Sequence, residues 1–267
     1  MIGASSVLAW VMIIGLAVGI VPAIAAAPTA PALDAAELIG LVLVGVSYTG
    51  GLLLAYLALS VGRVSIVAPI LSTEGAGAAI IAVALGEAIA IPTAFVLGAI
   101  AVGIVLSSIE RSADPALTSG AGPRTHDPAK NRRAVLLSIA AAAVFSVGLV
   151  ISARLGASVP LAWILVASRA VGILLIALPL ALRGRLRIER RAVPLVLIAG
   201  VLEALGSVVF VIGAQHGVAT AAVLSSQFAA IAAVGAFILF GERLAPVQLA
   251  GVVVIAIGIG VLAVLRA

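Results

Sequence analysis

This chain contains no cysteine. Disulfides, thiolate metal sites and cysteine nucleophiles are therefore excluded. Histidine is nearly absent too: His126 and His216 fall in connecting segments far apart, which argues against a histidine-based metal site. Charge is scarcer than a soluble domain allows, at 9% of residues against the roughly 25% usual for such domains. No phosphate-cradling Gly-Lys loop and no local catalytic triad can be found. Neither a cofactor nor an enzymatic activity is expected.

What is present is apolar. Hydrophobic residues make up 64% of the 267. A water-soluble globule leaves much of its surface exposed and could not hide this much. Lipid is the solvent, and backbone in lipid must bond to itself in helices or closed barrels. A barrel would alternate apolar and polar residues. Here the apolar stretches run without alternation for about 20 residues, the length of a spanning helix. Nine such segments are expected, at 4–27, 38–59, 64–86, 92–109, 134–153, 159–182, 193–214, 218–240 and 246–265. The first has no basic residue before it, since Arg63 is the first in the chain, so it reads as a retained helix rather than a signal peptide.

The chain repeats itself. "GASSVLAW" at 3–10 returns as "GASVPLAW" at 156–163, and "AVGI" at 17–20 returns at 170–173. From the next helix onward the offset settles at 155. It pairs Gly45-Val46 with Gly200-Val201, Gly51 with Gly206, Gly62 with Gly217, Gly86-Glu87 with Gly241-Glu242 and Gly103 with Gly258. A register held over this length marks an internal duplication. The polar stretch 110–133, rich in Pro, Gly, Ser and charge, separates the copies. The domains are then a first repeat at 1–109 with four helices, a linker at 110–133, and a second repeat at 134–267 with five. The counterpart of 134–153 is missing before residue 4. That predicts a shortened chain or one whose first helix is encoded upstream.

Basic residues set the topology. With sides alternating along nine helices, one face receives twelve of them, Arg63, the linker group and Arg183, Arg185, Arg187, Arg190, Arg191 and Arg243 included. The other receives Arg154 and Arg266. The rich face is expected to be cytoplasmic, with the linker inside, the C-terminus outside and the protein multi-pass in the cell membrane. This accounts for the net charge of +5 without nucleic acid. The loop 28–37 has no basic residue while its counterpart 183–191 has five. That asymmetry is expected of inverted copies, an architecture of transporters with a midplane site.

The segments 55–106 and 211–262 resemble the EamA domain of the drug/metabolite transporter superfamily. The resemblance is carried by a small-residue helix ending in Gly-Glu, a short turn and a Gly-bearing last helix: Gly241-Glu242, Pro246, Gly251 and Gly258 in the second copy, Gly86-Glu87, Pro92 and Gly103 in the first. It implies an all-α integral membrane protein of two inverted five-helix repeats, here with nine helices. It also implies a secondary transporter, often an exporter, of a small metabolite such as an amino acid or related compound. A non-transporting scaffold or accessory subunit is the alternative. Proton coupling and self-association into a homo-oligomer stay open.

Charges within spans need a reason. Glu74 in "LSTEGAGA" either binds a cationic group or exchanges a proton in a cavity, or is a paired structural residue. Arg169 and Glu203 are candidates for a pair on consecutive helices; the pair is structural, or Arg169 receives an anionic substrate group. Tyr48 holds the repeat position of Glu203 and is expected to face it. "GVSYTGG" offers Ser47, Tyr48 and Thr49 to a ligand, unless the hydroxyls bond their own helix. Ser72 and Thr73 precede Glu74. Ser226 and Gln227 stand at the equivalent place in the second copy. Glu87 and Glu242 are expected to serve helix ends, and Trp10 and Trp163 to anchor at the membrane interface.

Overall fold

The computed structural model describes residues 4–26, 32–62, 64–108, 128–227, 231 and 245–266. Every element among them is helical. The helices are α1 (Ala4–Ala26), α2 (Ala35–Val61), α3 (Val64–Leu71), α4 (Glu74–Ala84), α5 (Ile91–Ser108), α6 (Pro128–Leu155), α7 (Leu161–Leu182), α8 (Val193–Ala214), α9 (Val218–Ser225) and α10 (Pro246–Arg266). Among the described residues six stretches are long and apolar enough to cross a membrane, one of them Ile66–Ala84 across α3 and α4. Two shorter apolar helices, Ile91–Ser107 and Pro246–Leu262, accompany them. The expected segment 218–240 is seen as helix over α9, and most of its remainder lies outside the described residues, as do Gly241-Glu242.

Local chemistry moves several boundaries. Asp34 and Glu37 form a reciprocal capping box, each side chain taking the other's backbone N–H at 2.7 and 3.0 Å, so α2 starts at Ala35 rather than 38. Gly86 ends α4 at φ 100, a conformation in which a side chain is strained. The helix α6 begins at Pro128, so residues 128–133 belong to it and not to the linker. The segment expected as one helix over 64–86 is broken at Ser72-Thr73. Pro69 lies in its first half and lacks the N–H that would continue the ladder. Within α7, Ile173–Ala177 form a π turn, an arrangement frequent near functional positions.

Small residues set the packing. Without a hydrophobic force between helices in lipid, close van der Waals contact holds them together. Gly40, Gly51 and Gly62 of α2 fit under Leu155, Phe145 and Ala134 of α6. Gly103 of α5 lies against the Gly251 backbone of α10. Gly15 and Gly19 of α1 admit Arg169 and Leu165 of α7. Large apolar side chains such as Leu182 and Phe95 point outward, as lipid contact requires. The match between Gly51 and Gly206 is not kept in three dimensions: Phe145 covers the first, while nothing lies within 4 Å of where a Cβ on the second would stand.

Candidate functional site

Arg169 is 1% exposed, the largest fully buried side chain among the described residues. Four helices enclose it. From α8, Glu203 Oε2 lies 2.5 Å from Nη2. Ser207, one turn on, accepts from Nη2 at 3.3 Å and donates to Glu203, whose backbone oxygen and Oε1 stand at 3.0 and 3.1 Å. From α1, Met12 Sδ is 3.8 Å from Nη1. From α2, the Tyr48 ring lies 4.4 Å from the guanidinium carbon, a cation–π contact in a site without water's screening. Phe145 of α6 meets the edge of the same ring at 6.2 Å.

The cluster is nearly, not fully, satisfied. Among the described residues, Arg169 Nε and Thr49 Oγ1 are buried without a hydrogen-bond partner. The cause at Nε is steric: it lies against the backbone of Gly15, where a Cβ would come within 2.7 Å. Thr49 lies beside Gly172 of α7, next to Met12. Buried polar atoms left unpaired are uncommon, and each calls for an explanation.

A second polar group sits at the break between α3 and α4. Glu74 opens α4, where a carboxylate complements the helix dipole. Its backbone oxygen accepts from Ser146 of α6 at 2.8 Å. Its carboxylate has no ion pair or hydrogen bond among the described residues. Gly75 lies directly against the Ala222 carbonyl and Ser226 hydroxyl of α9, so the two helices cross at van der Waals distance. The helix α9 itself ends there, in a turn at Ser226-Gln227.

The sequence-predicted residues thus fall into two groups. Arg169, Glu203 and Tyr48 meet, with Thr49 beside them. Ser72, Thr73 and Glu74 lie at the break between α3 and α4, and Ser226 and Gln227 at the end of α9. Ser47 belongs to neither and packs against Gly148 of α6. Ser72, Thr73 and Ser226 bond carbonyls of their own helices at 2.7–3.0 Å, which occupies their hydroxyl protons. Sequence reasoning missed Ser207, Met12 and Gly15. Ser207 carried a signal, since residue i+4 from Glu203 shares its face; the other two did not.

At one end of the bundle Glu87 takes its expected role, but not at the next helix in the chain. Both carboxylate oxygens lie 3.2 Å from the Ala219 N–H in the first turn of α9. The indole N–H groups of Trp10 and Trp163 are buried and have no hydrogen-bond partner among the described residues.

No curated protein matches this chain. The family model described as "Sugar transport protein" matches residues 7–266. A solved structure described as "Crystal structure of protein" superposes with a TM-score of 0.74 at 18% identity, covering 99% of this chain and 88% of the other. At that identity the likeness shows a shared fold.

Proposed function

Because the chain belongs to the sugar transport protein family, and is thereby a membrane transporter rather than an enzyme, we propose that it moves a small, net-neutral polar metabolite by alternating access around the Arg169–Glu203 cluster. The observation that carries this is the charge balance of the site. Arg169 is already neutralised by Glu203, so the cluster does not call for a charged ligand. Among the described residues it still holds a Thr49 hydroxyl without a hydrogen-bond partner, and an aromatic face. Those groups suit a polyhydroxyl solute, in keeping with the family's description. They also suit a zwitterion such as an amino acid, which the EamA resemblance suggests.

Two inverted repeats are the proposed frame, α1–α5 and α6–α10. The break at Ser72-Thr73 and the end of α9 at Ser226-Gln227 support it, because an offset of 155 carries Gln227 onto Ser72. Interrupted helices with half-helix termini near the midplane are a recurrent device of such transporters. The Arg-rich end, with Ser6 bonded to the Arg185 carbonyl, is proposed as cytoplasmic, and the Arg154 end as outer. Export, and proton coupling through Glu74, are part of the same proposal.

Purified protein in proteoliposomes tests the reading. Saturable counterflow of D-glucose or L-alanine, measured with and without a pH gradient, is the expected result. Vesicles with folded protein that exchange neither solute faster than protein-free vesicles would sink it.

A further inference from the structure

The Arg154 end carries a polar feature that the Arg169 cluster does not use. A cleft of about 580 Å³ opens there between α4–α5 on one side and α6, α8 and α9 on the other. Glu87, Thr93, Arg154, Gln215, His216 and Thr220 are among its lining residues. Two charged ties cross between its walls, and each runs to a helix end. Glu87 holds the Ala219 N–H at the start of α9. Arg154 Nη2 donates to the Leu85 carbonyl at the end of α4, at 3.4 Å. An anion at a helix N-terminus and a cation at a C-terminus are each favourable.

Both ties are long. The Glu87 bond is shared between two oxygens at 3.2 Å, where a tight charge-assisted bond measures roughly 2.7–2.9 Å. The Arg154 bond is near the limit of the interaction, on an exposed side chain. Contacts of this kind are readily exchanged for a better partner.

We propose that this cleft is a vestibular binding site for the transported solute, and that Glu87 gates it by exchanging the Ala219 N–H for a donor group of that solute. The proposal rests on the transporter reading above. The walls offer a carboxylate, a guanidinium, an amide and hydroxyls, a set complementary to a small net-neutral solute with both donors and acceptors. An apolar solute offers nothing to exchange for the bonds that Glu87, Arg154 and Gln215 already make, Gln215 donating to the Gly156 carbonyl at 3.1 Å, and a charged one meets the opposite and the like charge together. When Glu87 engages the solute, the α9 terminus is released from α4, which loosens one wall of the cleft against the other.

The absence of native cysteine makes the test clean. Thr93→Cys in the full chain places a single thiol in the cleft wall, to be labelled with a membrane-impermeant maleimide in the presence of D-glucose or L-alanine. The expected result is labelling that one of these probes slows severalfold, with the protection lost on adding Glu87→Gln. On the wild-type background Glu87→Gln raises the KM of the protecting probe about tenfold with the maximal rate largely kept. If that variant fails to assemble, Arg154→Gln serves in its place, with the same expected rise in KM. Labelling indifferent to both probes overturns the vestibule. Counterflow without protection leaves the transporter reading intact and removes this one; absence of both removes both. A Glu87→Gln protein with lower thermal stability and unchanged KM assigns Glu87 to helix capping alone and overturns the gate.

Discussion

Arg169 Nη2 and Glu203 Oε2 stand 2.5 Å apart, joining α7 to α8 inside the bundle. Glu203 keeps 24% of its side chain exposed while Arg169 keeps 1%. The arginine is wholly enclosed by protein, and among the described residues Glu203 is the carboxylate that balances its charge.

Replacing Glu203 by Gln strands a buried guanidinium. Loss of one partner of a buried pair costs about 3–5 kcal/mol. A thermal unfolding midpoint in detergent measures it. Removing both charges together, as Arg169→Met with Glu203→Leu, should restore most of the stability while abolishing counterflow. Normal counterflow in that double variant would show the pair to be structural only.

Three glycine-to-alanine substitutions should separate by what the new methyl meets. At Gly75 it meets the backbone carbonyl of Ala222, which cannot move aside, so α4 and α9 must part. At Gly15 it meets Arg169 Nε and Cδ, so a side chain must shift and the ion pair loosens; overpacking of this kind costs about 1–3 kcal/mol. At Gly206 it meets open space, and the helix preference for alanine should stabilise by up to about 1 kcal/mol. The order of melting temperatures is therefore Gly206→Ala above wild type, then Gly15→Ala, then Gly75→Ala. Any other order contradicts the packing described.

Glu74→Gln keeps the shape of the side chain and removes its titration. The variant should assemble normally, since its carboxylate has no partner to lose among the described residues. Counterflow should persist with its response to a pH gradient diminished. An unaltered response takes Glu74 out of the mechanism.

Tyr48 acts on Arg169 through its ring. Tyr48→Phe should retain the cation–π contact, and Tyr48→Leu should lose about 0.5–2 kcal/mol. Unfolding midpoints of the two variants side by side read the difference, and equal midpoints would contradict a contribution from the ring.

Much of this was written in the chain. Lipid as solvent followed from composition, and the positions of the apolar segments from their lengths. The pairing of Arg169 with Glu203 followed from the rarity of charge within spans, and Tyr48 beside them was expected from the proposed repeat register. The break at Ser72-Thr73 did not follow, because a proline in a membrane helix is compatible with a bend as well as an interruption, and neighbouring helices decide which. The partner of Glu87 was equally out of reach. The nearest helix terminus in sequence is that of α5, but packing brings the terminus of α9 to the carboxylate from 132 residues away.

The sequence by itself determined the solvent, the helical class and which residues were too polar to face lipid. These are properties of single residues and of spacing along one chain, and hydrophobicity and register are enough to read them. Tertiary structure alone decided that Gly15 walls in Arg169, that Ser207 and Met12 complete its surroundings, that Gly75 lets α4 and α9 cross, and that Gly51 is covered while Gly206 lies open. Each of these depends on how closely two helix backbones approach, and that distance is set by the fit of many small side chains at once.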